Sequence, residues 1–166
     1  MKNTGIVRKI DELGRLVLPK ELRKVLNINS GDDFQITIDN EKIILEKYSR
    51  LDNFEQTILN IINCFLSVKK NKIYLIINNK IIGLNENINN IISNLILERK
   101  IYINDKIEKN IIGNNVSEFG KMVLFPIVIN SDLLGALINI GNENVNLLID
   151  DCKIIYNIIK KVILLE

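Results

Sequence analysis

The stretch that most limits what this chain can fold into is residues 5–26, GIVRKIDELGRLVLPKELRKVL. Two short apolar segments, 5–10 and 15–18, read as strands on either side of Asp11-Glu12-Leu13-Gly14, and Gly14 fits the end of a turn. Pro19 suits a first helical position, after which Leu22, Val25 and Leu26 fall at i, i+3, i+4. Phe34, Ile36 and Ile38 then alternate with Gln35, Thr37 and Asp39, and a turn at Asn40-Glu41 leads into IILEKY. The expected sum is four strands and one short helix by residue 48. Such a segment has too few large apolar side chains to stand alone, because below about 60 residues a single core is marginal. Pairing of two copies through the sheet is the expected remedy, and two-fold symmetry would then present every side chain twice.

Charge is unevenly spread. Residues 1–24 hold seven Lys/Arg against three acids, 25–50 hold three against five, and from 51 onward the count is 12 against 12. The positive field therefore belongs to one end of the chain, as expected of an end that meets a polyanion. Arg8, Lys9, Arg15, Arg23 and Lys24 are the candidate DNA-contacting residues, since their heads can reach phosphates while their backbones stay in a packed scaffold. A merely solvated face is the simpler reading of any such cluster. Against it stand the confinement of these five to 17 residues, the near-neutral remainder and the doubling in a dimer. Strict strand alternation would put Arg8 and Lys9 on opposite faces unless the strand twists or ends there. Asp11 and Glu12, which would repel phosphate, are expected to pair with neighbouring Arg side chains and hold them in place.

Several function classes lack their residues. The chain has no histidine, which removes the commonest general base and most transition-metal sites. Cys64 and Cys152 lie far apart, outside any CxxC pattern, and both are expected to be small core residues. No GxGxxG, P-loop or HExxH motif occurs, so neither a cofactor nor a metal is expected. An enzyme using either cysteine as nucleophile would have no base to activate it. No apolar run approaches the roughly 18 to 20 residues that span a bilayer, and the charged N-terminus does not resemble a signal peptide, so a cytoplasmic protein with no membrane partner is expected.

After residue 48 the segment SRLDNFEQ reads as a joint, with Asp52 and Glu55 at capping-box spacing and a helix expected over 53–69. Strand-like IYLIIN, an Asn-Asn-Lys turn and IIGL follow, then a helical pattern near 88–100. The Asn-rich stretch 104–120 reads as a solvated loop, with cover over a pocket as its alternative. KMVLFPIVINSDLLGALINI is the clearest hairpin, turning at Asn130-Ser131-Asp132, and Pro126 inside it implies an edge, a bulge or a strand end. Last comes a long helix with Val145, Leu148, Cys152, Ile155, Ile159 and Val162 on one stripe, and Leu147, Ile154, Ile158 and Leu165 away from it. So wide an apolar circumference suggests packing on the helix's own sheet and on another subunit. Ile and Asn, 59 of the 166 residues, keep helical spacing and read as restricted residue choice in a folded domain.

The run TGIVRKIDELGRLVLPKELRKVLNINSGDDFQITIDNEKIILEKY resembles, nearly end to end, the N-terminal swapped-hairpin domain of the AbrB/SpoVT family of transition-state regulators. The resemblance implies an α+β chain. Residues 1–50 would form an AbrB-like swapped-hairpin β-barrel dimer that binds double-stranded DNA through positions matching Arg8, Lys9, Arg15, Arg23 and Lys24. Lys at positions 9 and 24, where the family pattern has Arg, implies phosphate contacts there without bidentate base contacts. Residues 53–166 are similar in element order to the GAF-like domain of SpoVT-type members, with PIVINSDLLGALINI the best-matching stretch. That similarity implies a GAF-like α/β domain with flanking helices, a homotetramer joined through C-terminal helices, a role in sporulation and a small-molecule pocket whose ligand no residue names. An antitoxin-like autoregulator that binds a toxin protein is the alternative on the same fold.

Overall fold

The computed structural model describes residues 5–26, 28, 30–84 and 86–164. It divides between Lys47 and Tyr48 into two compact units. The first contains α1 (Lys20–Val25), β1 (Phe34–Asp39) and β2 (Lys42–Lys47). β1 and β2 form an antiparallel hairpin in register Ile36↔Leu45 and Ile38↔Ile43, closed at Asn40, whose positive φ of 54° suits the tight turn expected there.

Two expectations for this unit are corrected. Residues 5–10 and 15–18 do not form strands: the turn between them closes through Asp11 N–H to Arg15 O (3.1 Å) and Gly14 N–H to Asp11 O (2.9 Å), and no ladder partner lies among the described residues. A strand needs such a partner for its backbone groups. Pro19 sits one position earlier than expected, at the N-cap of α1. Among the described residues of 5–47, Pro19 alone is buried, while Val7, Val17, Val25 and Ile38 are 84, 70, 78 and 77% exposed.

The second unit is a six-stranded antiparallel sheet in the order β5-β4-β3-β8-β7-β6, comprising β3 (Lys72–Ile77), β4 (Lys80–Ile81), β5 (Glu86–Asn87), β6 (Tyr102–Ile111), β7 (Ser117–Ile129) and β8 (Asp132–Gly141). Alternation along the strands sorts its side chains. Ile73, Leu75, Ile77, Val123 and Leu137 pack with α2 (Glu55–Leu66) and α4 (Val145–Leu164). Ile76, Met122, Ala136, Ile138 and Ile140 face the other way and pack with Ile92 and Ile96 of α3 (Asn90–Leu97). Two helical layers thus enclose a sheet buried on both faces, which is why β3 and β8 read as nearly unbroken apolar runs.

The expected joint SRLDNFEQ is instead the start of this unit. Arg50–Phe54 forms a 3₁₀ turn capped by Ser49, whose hydroxyl accepts from Leu51 N–H while the Asp52 carboxylate accepts from Ser49 N–H. The capping box is therefore Ser49/Asp52, and Leu51 is fully buried in the α2/α4 layer. α2 runs shorter than the expected 53–69 and α3 shorter than 88–100. Cys64 is exposed, against expectation: α2 buries Ile58 and Ile62, and two residues past Ile62 is more than half a turn away from that face. Cys152 is buried as expected.

The stretch 104–120 is not a loop. It contributes most of β6 and the start of β7, paired from Tyr102↔Leu124 to Ile111↔Ser117 across a bulge. Its polar side chains belong to an edge strand exposed over most of both faces, which sequence alternation alone hides once a bulge shifts the register. The β7–β8 hairpin turns at Asn130 and Ser131, both at positive φ (51° and 71°). Pro126 lies beyond the end of β6 and next to a register shift at Ile127/Val128, where its missing N–H costs little. In α4 the buried stripe is Leu148, Cys152, Ile155, Ile159 and Ile163, with Val162 only half-buried; Leu147, Ile154 and Ile158 are exposed, and Leu165 lies outside the described residues. No helix among the described residues is long and apolar enough to cross a membrane.

Because Leu51 anchors the segment after β2 into the second core, Leu51→Ala is expected to lower the denaturation free energy of that unit by about 3 kcal/mol. Urea unfolding followed by circular dichroism checks it; an unchanged midpoint would mean that the 3₁₀ turn is not part of this core.

Candidate nucleic-acid interface

All five candidate cations lie beside or within two local structures that fix their backbones. Arg8 and Lys9 precede the Asp11–Gly14 turn and Arg15 follows it; Arg23 and Lys24 occupy the last turn of α1, where a cation also complements the helix dipole. All five are exposed. Arg8 Nη1 donates to Val7 O (3.0 Å), which keeps its guanidinium near its own backbone. Because 5–10 is not a strand here, alternation does not force Arg8 and Lys9 to opposite faces.

The Asp11 carboxylate organises the turn. Its Oδ1 accepts from the backbone N–H of Leu13 (3.0 Å) and of Arg15 (2.8 Å), while Oδ2 accepts from Arg15 Nε (2.8 Å). An Asp that bonds forward to its own backbone is a turn-forming device, and Gly14 at φ +76° supplies the left-handed residue the turn requires. Among the described residues, Arg15 is the only one of the five that pairs with a carboxylate. The pairing expected of Asp11 is therefore present, and its effect is to aim Arg15. The pair leaves Arg15 well exposed, so its remaining guanidinium N–H groups face solvent.

Elsewhere in this unit the Lys47 ammonium meets Asp32 (3.0 Å), tying the loop before β1 to the end of β2. Among the described residues no cluster of three His, Cys, Asp or Glu side chains could hold a metal ion. Burial pushes the Cys152 thiol up to about 12, so it stays protonated and unsuited to nucleophilic work near neutrality.

Taken by its geometry, the first unit is a solvent-exposed module whose cations gather within residues 8–24, with a carboxylate-stapled turn and an unburied apolar face. Comparison with known proteins gives it relatives. Residues 7–52 match the family model of MazE, described as antidote–toxin recognition, a bacterial antitoxin. The transition state regulatory protein AbrB of Bacillus subtilis is 62% identical over 48 residues, covering 29% of this chain. Stage V sporulation protein T of Bacillus subtilis is 29% identical over 149 residues, covering 83% of this chain and 84% of that protein. The chain spans half the length of AbrB. A solved structure described as the N-terminal DNA recognition domain of the Bacillus subtilis transition-state regulator AbrB is 62% identical, covering 29% of this chain and 91% of that one, at a TM-score of 0.25. The first unit is thus similar to AbrB over 48 residues, and most of the chain to stage V sporulation protein T.

Arg15 donates to the Asp11 carboxylate, first of all from its backbone N–H and then from its guanidinium, and holds that carboxyl below its ordinary value of 3.8. A carboxyl with a folded value below its unfolded one supports the turn fully above about 3.8 and loses that support as pH falls through the lower folded value. Carbon-detected titration of the Asp11 carboxyl is expected to give a midpoint below 3.8, with the Arg15 Nε–H signal changing in step. A midpoint at the ordinary value would remove the ion pair from the turn.

Proposed function

We propose that the chain is a DNA-binding transcription regulator that acts as a homodimer of its N-terminal unit. The observation that carries this reading is the coincidence, within residues 5–47, of five exposed cations and an apolar surface that one copy leaves in water. Closing two copies into an AbrB-like swapped-hairpin β-barrel over 1–50 would give 5–10 and 15–18 the ladder partners they lack and bury Val7, Val17, Ile36 and Ile38. The dimer would then carry Arg8, Lys9, Arg15, Arg23 and Lys24 twice, on a two-fold axis that matches the pseudo-symmetry of duplex DNA. In this reading residues 53–166 are a GAF-like domain. Its exposed helical residues Leu147, Ile154 and Ile158 join two dimers into a homotetramer. The protein works in the cytoplasm, with a role in sporulation and no catalytic activity. The names of its relatives, a transition state regulator and a sporulation protein, support it.

Arg8→Ala and Arg15→Ala are each expected to weaken binding to DNA that copurifies from the native host by tenfold or more, at the scale of about 1–3 kcal/mol per contact, while sedimentation shows an unchanged oligomer. Unaltered gel-shift affinity in both variants would remove the site assignment. If half of the dimer's cations meet phosphate, log affinity falls with log salt at a slope of about −4 to −5; a flat dependence would contradict an electrostatic footprint. The MazE match favours a second reading, an antitoxin-like autoregulator, and a toxin protein copurifying stoichiometrically from the native host would establish it.

A further inference from the structure

Residues 5–26 hold three acids among their cations, and local structure accounts for two of them. Asp11 staples the turn, and Glu21 sits in the first turn of α1, where a carboxylate complements the helix dipole. Glu12 does neither. It occupies the first central position of the turn that closes from Gly14 N–H to Asp11 O, and it is exposed. The donors that could hold it there are already engaged. The N–H groups of Leu13 and Arg15 and the Nε of Arg15 all donate to the Asp11 carboxylate, and the N–H of Gly14 donates to the Asp11 carbonyl. The pairing with an arginine expected of Glu12 is therefore not found among the described residues.

An unpaired carboxylate in that place acts on any polyanion that approaches. Lys9 stands three residues before Glu12 and Arg15 three after it, so a phosphate drawn to either cation also meets a negative charge that removes part of the attraction. For contact with the DNA backbone alone, Glu12 is a handicap. Its chemistry differs from that of the cations in a second respect: a carboxylate only accepts, and the donors a duplex presents are the amino groups on its base edges, cytosine N4 foremost. We propose that Glu12 is a specificity-determining residue of the DNA-binding unit, accepting from a base amino group in the major groove where the sequence supplies one and repelling phosphate where it does not. Selectivity of this kind comes from a repulsive element as much as from an attractive one. The turn suits the task because the Asp11 bonds fix the backbone around Glu12, so little freedom is left to lose on docking. This inference rests on the DNA-binding reading and deepens it.

The test compares the full chain with its Glu12→Gln and Glu12→Ala variants on two duplexes, a fragment that copurifies from the native host and a random sequence of the same length. Fluorescence anisotropy at one fixed salt concentration reads both affinities. Each variant is expected to bind the random duplex at least about fivefold more tightly and to lose at least about fivefold in the ratio of fragment to random affinity. Asp11→Asn, which loosens Arg15, is expected to weaken binding to both duplexes alike. Glu12 makes no bond among the described residues, so both of its variants stay folded. A residue that merely supported the turn would on loss weaken both duplexes, a change of the opposite sign. That result, an unchanged affinity for the random duplex, or an unchanged ratio would each overturn the assignment. A wild-type chain that binds neither duplex would remove the DNA-binding reading and this inference with it, whereas wild-type binding with indifferent Glu12 variants removes the role of Glu12 alone.

Discussion

Burial sets the terms for everything the first unit does. A protein segment holds its shape because the apolar surface it removes from water outweighs the chain entropy it gives up, and residues 5–47 remove almost none when taken one copy at a time. Ile36, Ile38, Ile43 and Leu45 line one face of the β1–β2 hairpin, registered across from one another and open to solvent. An isolated two-stranded hairpin is marginal in water, and a bare apolar face on it is an interface awaiting a partner. The same geometry leaves the cations outward. Lys and Arg that lack carboxylate partners among the described residues keep their full reach for an external polyanion, and Asp11 removes the main freedom from Arg15 while leaving it well exposed.

The second unit follows the opposite logic. Its sheet is covered on both faces, its two core clusters share the central strands, and its polar exceptions are tied together. Asn71, Asn139 and Asp151 would each be expensive to bury alone. Linked through short hydrogen bonds and closed at the edge by Lys69, they fix the N-terminal half of α4 against β3 and β8. A unit with this much internal satisfaction can carry exposed apolar helix residues, such as Ile154 and Ile158, as a surface for association without depending on them to fold.

Much of this was legible in the residues, and the misses have physical causes. Asn130-Ser131 marked its hairpin because short polar side chains tolerate left-handed backbone, and α4 announced itself through spacing, since Leu148, Cys152, Ile155 and Ile159 recur every three to four residues. The relation of the N-terminal run to AbrB was readable because the turn, the Pro-led helix and the closing hairpin are contiguous. Residues 5–10 and 15–18 misled because strand propensity describes a side chain suited to a sheet and says nothing of where the partner strand comes from. The edge strand at 104–111 was hidden by its bulge and its polar composition, and Ser49 was passed over as a cap because the apolar period was read from Phe54 onward. Asn71 gave no signal at all: a buried amide becomes conspicuous only when its hydrogen bonds are counted in three dimensions.

The claim on which the rest depends is that the first unit completes itself with a second copy. Isotope-filtered NOE spectroscopy tests it most directly, on full-length protein assembled from equal amounts of carbon-13-labelled and unlabelled chains. The account predicts contacts between the methyl groups of Val7, Val17, Ile36 and Ile38 on one chain and those of the other. If every contact of those methyls proves to lie within a single chain, the shared core does not exist and the paired cationic surface goes with it.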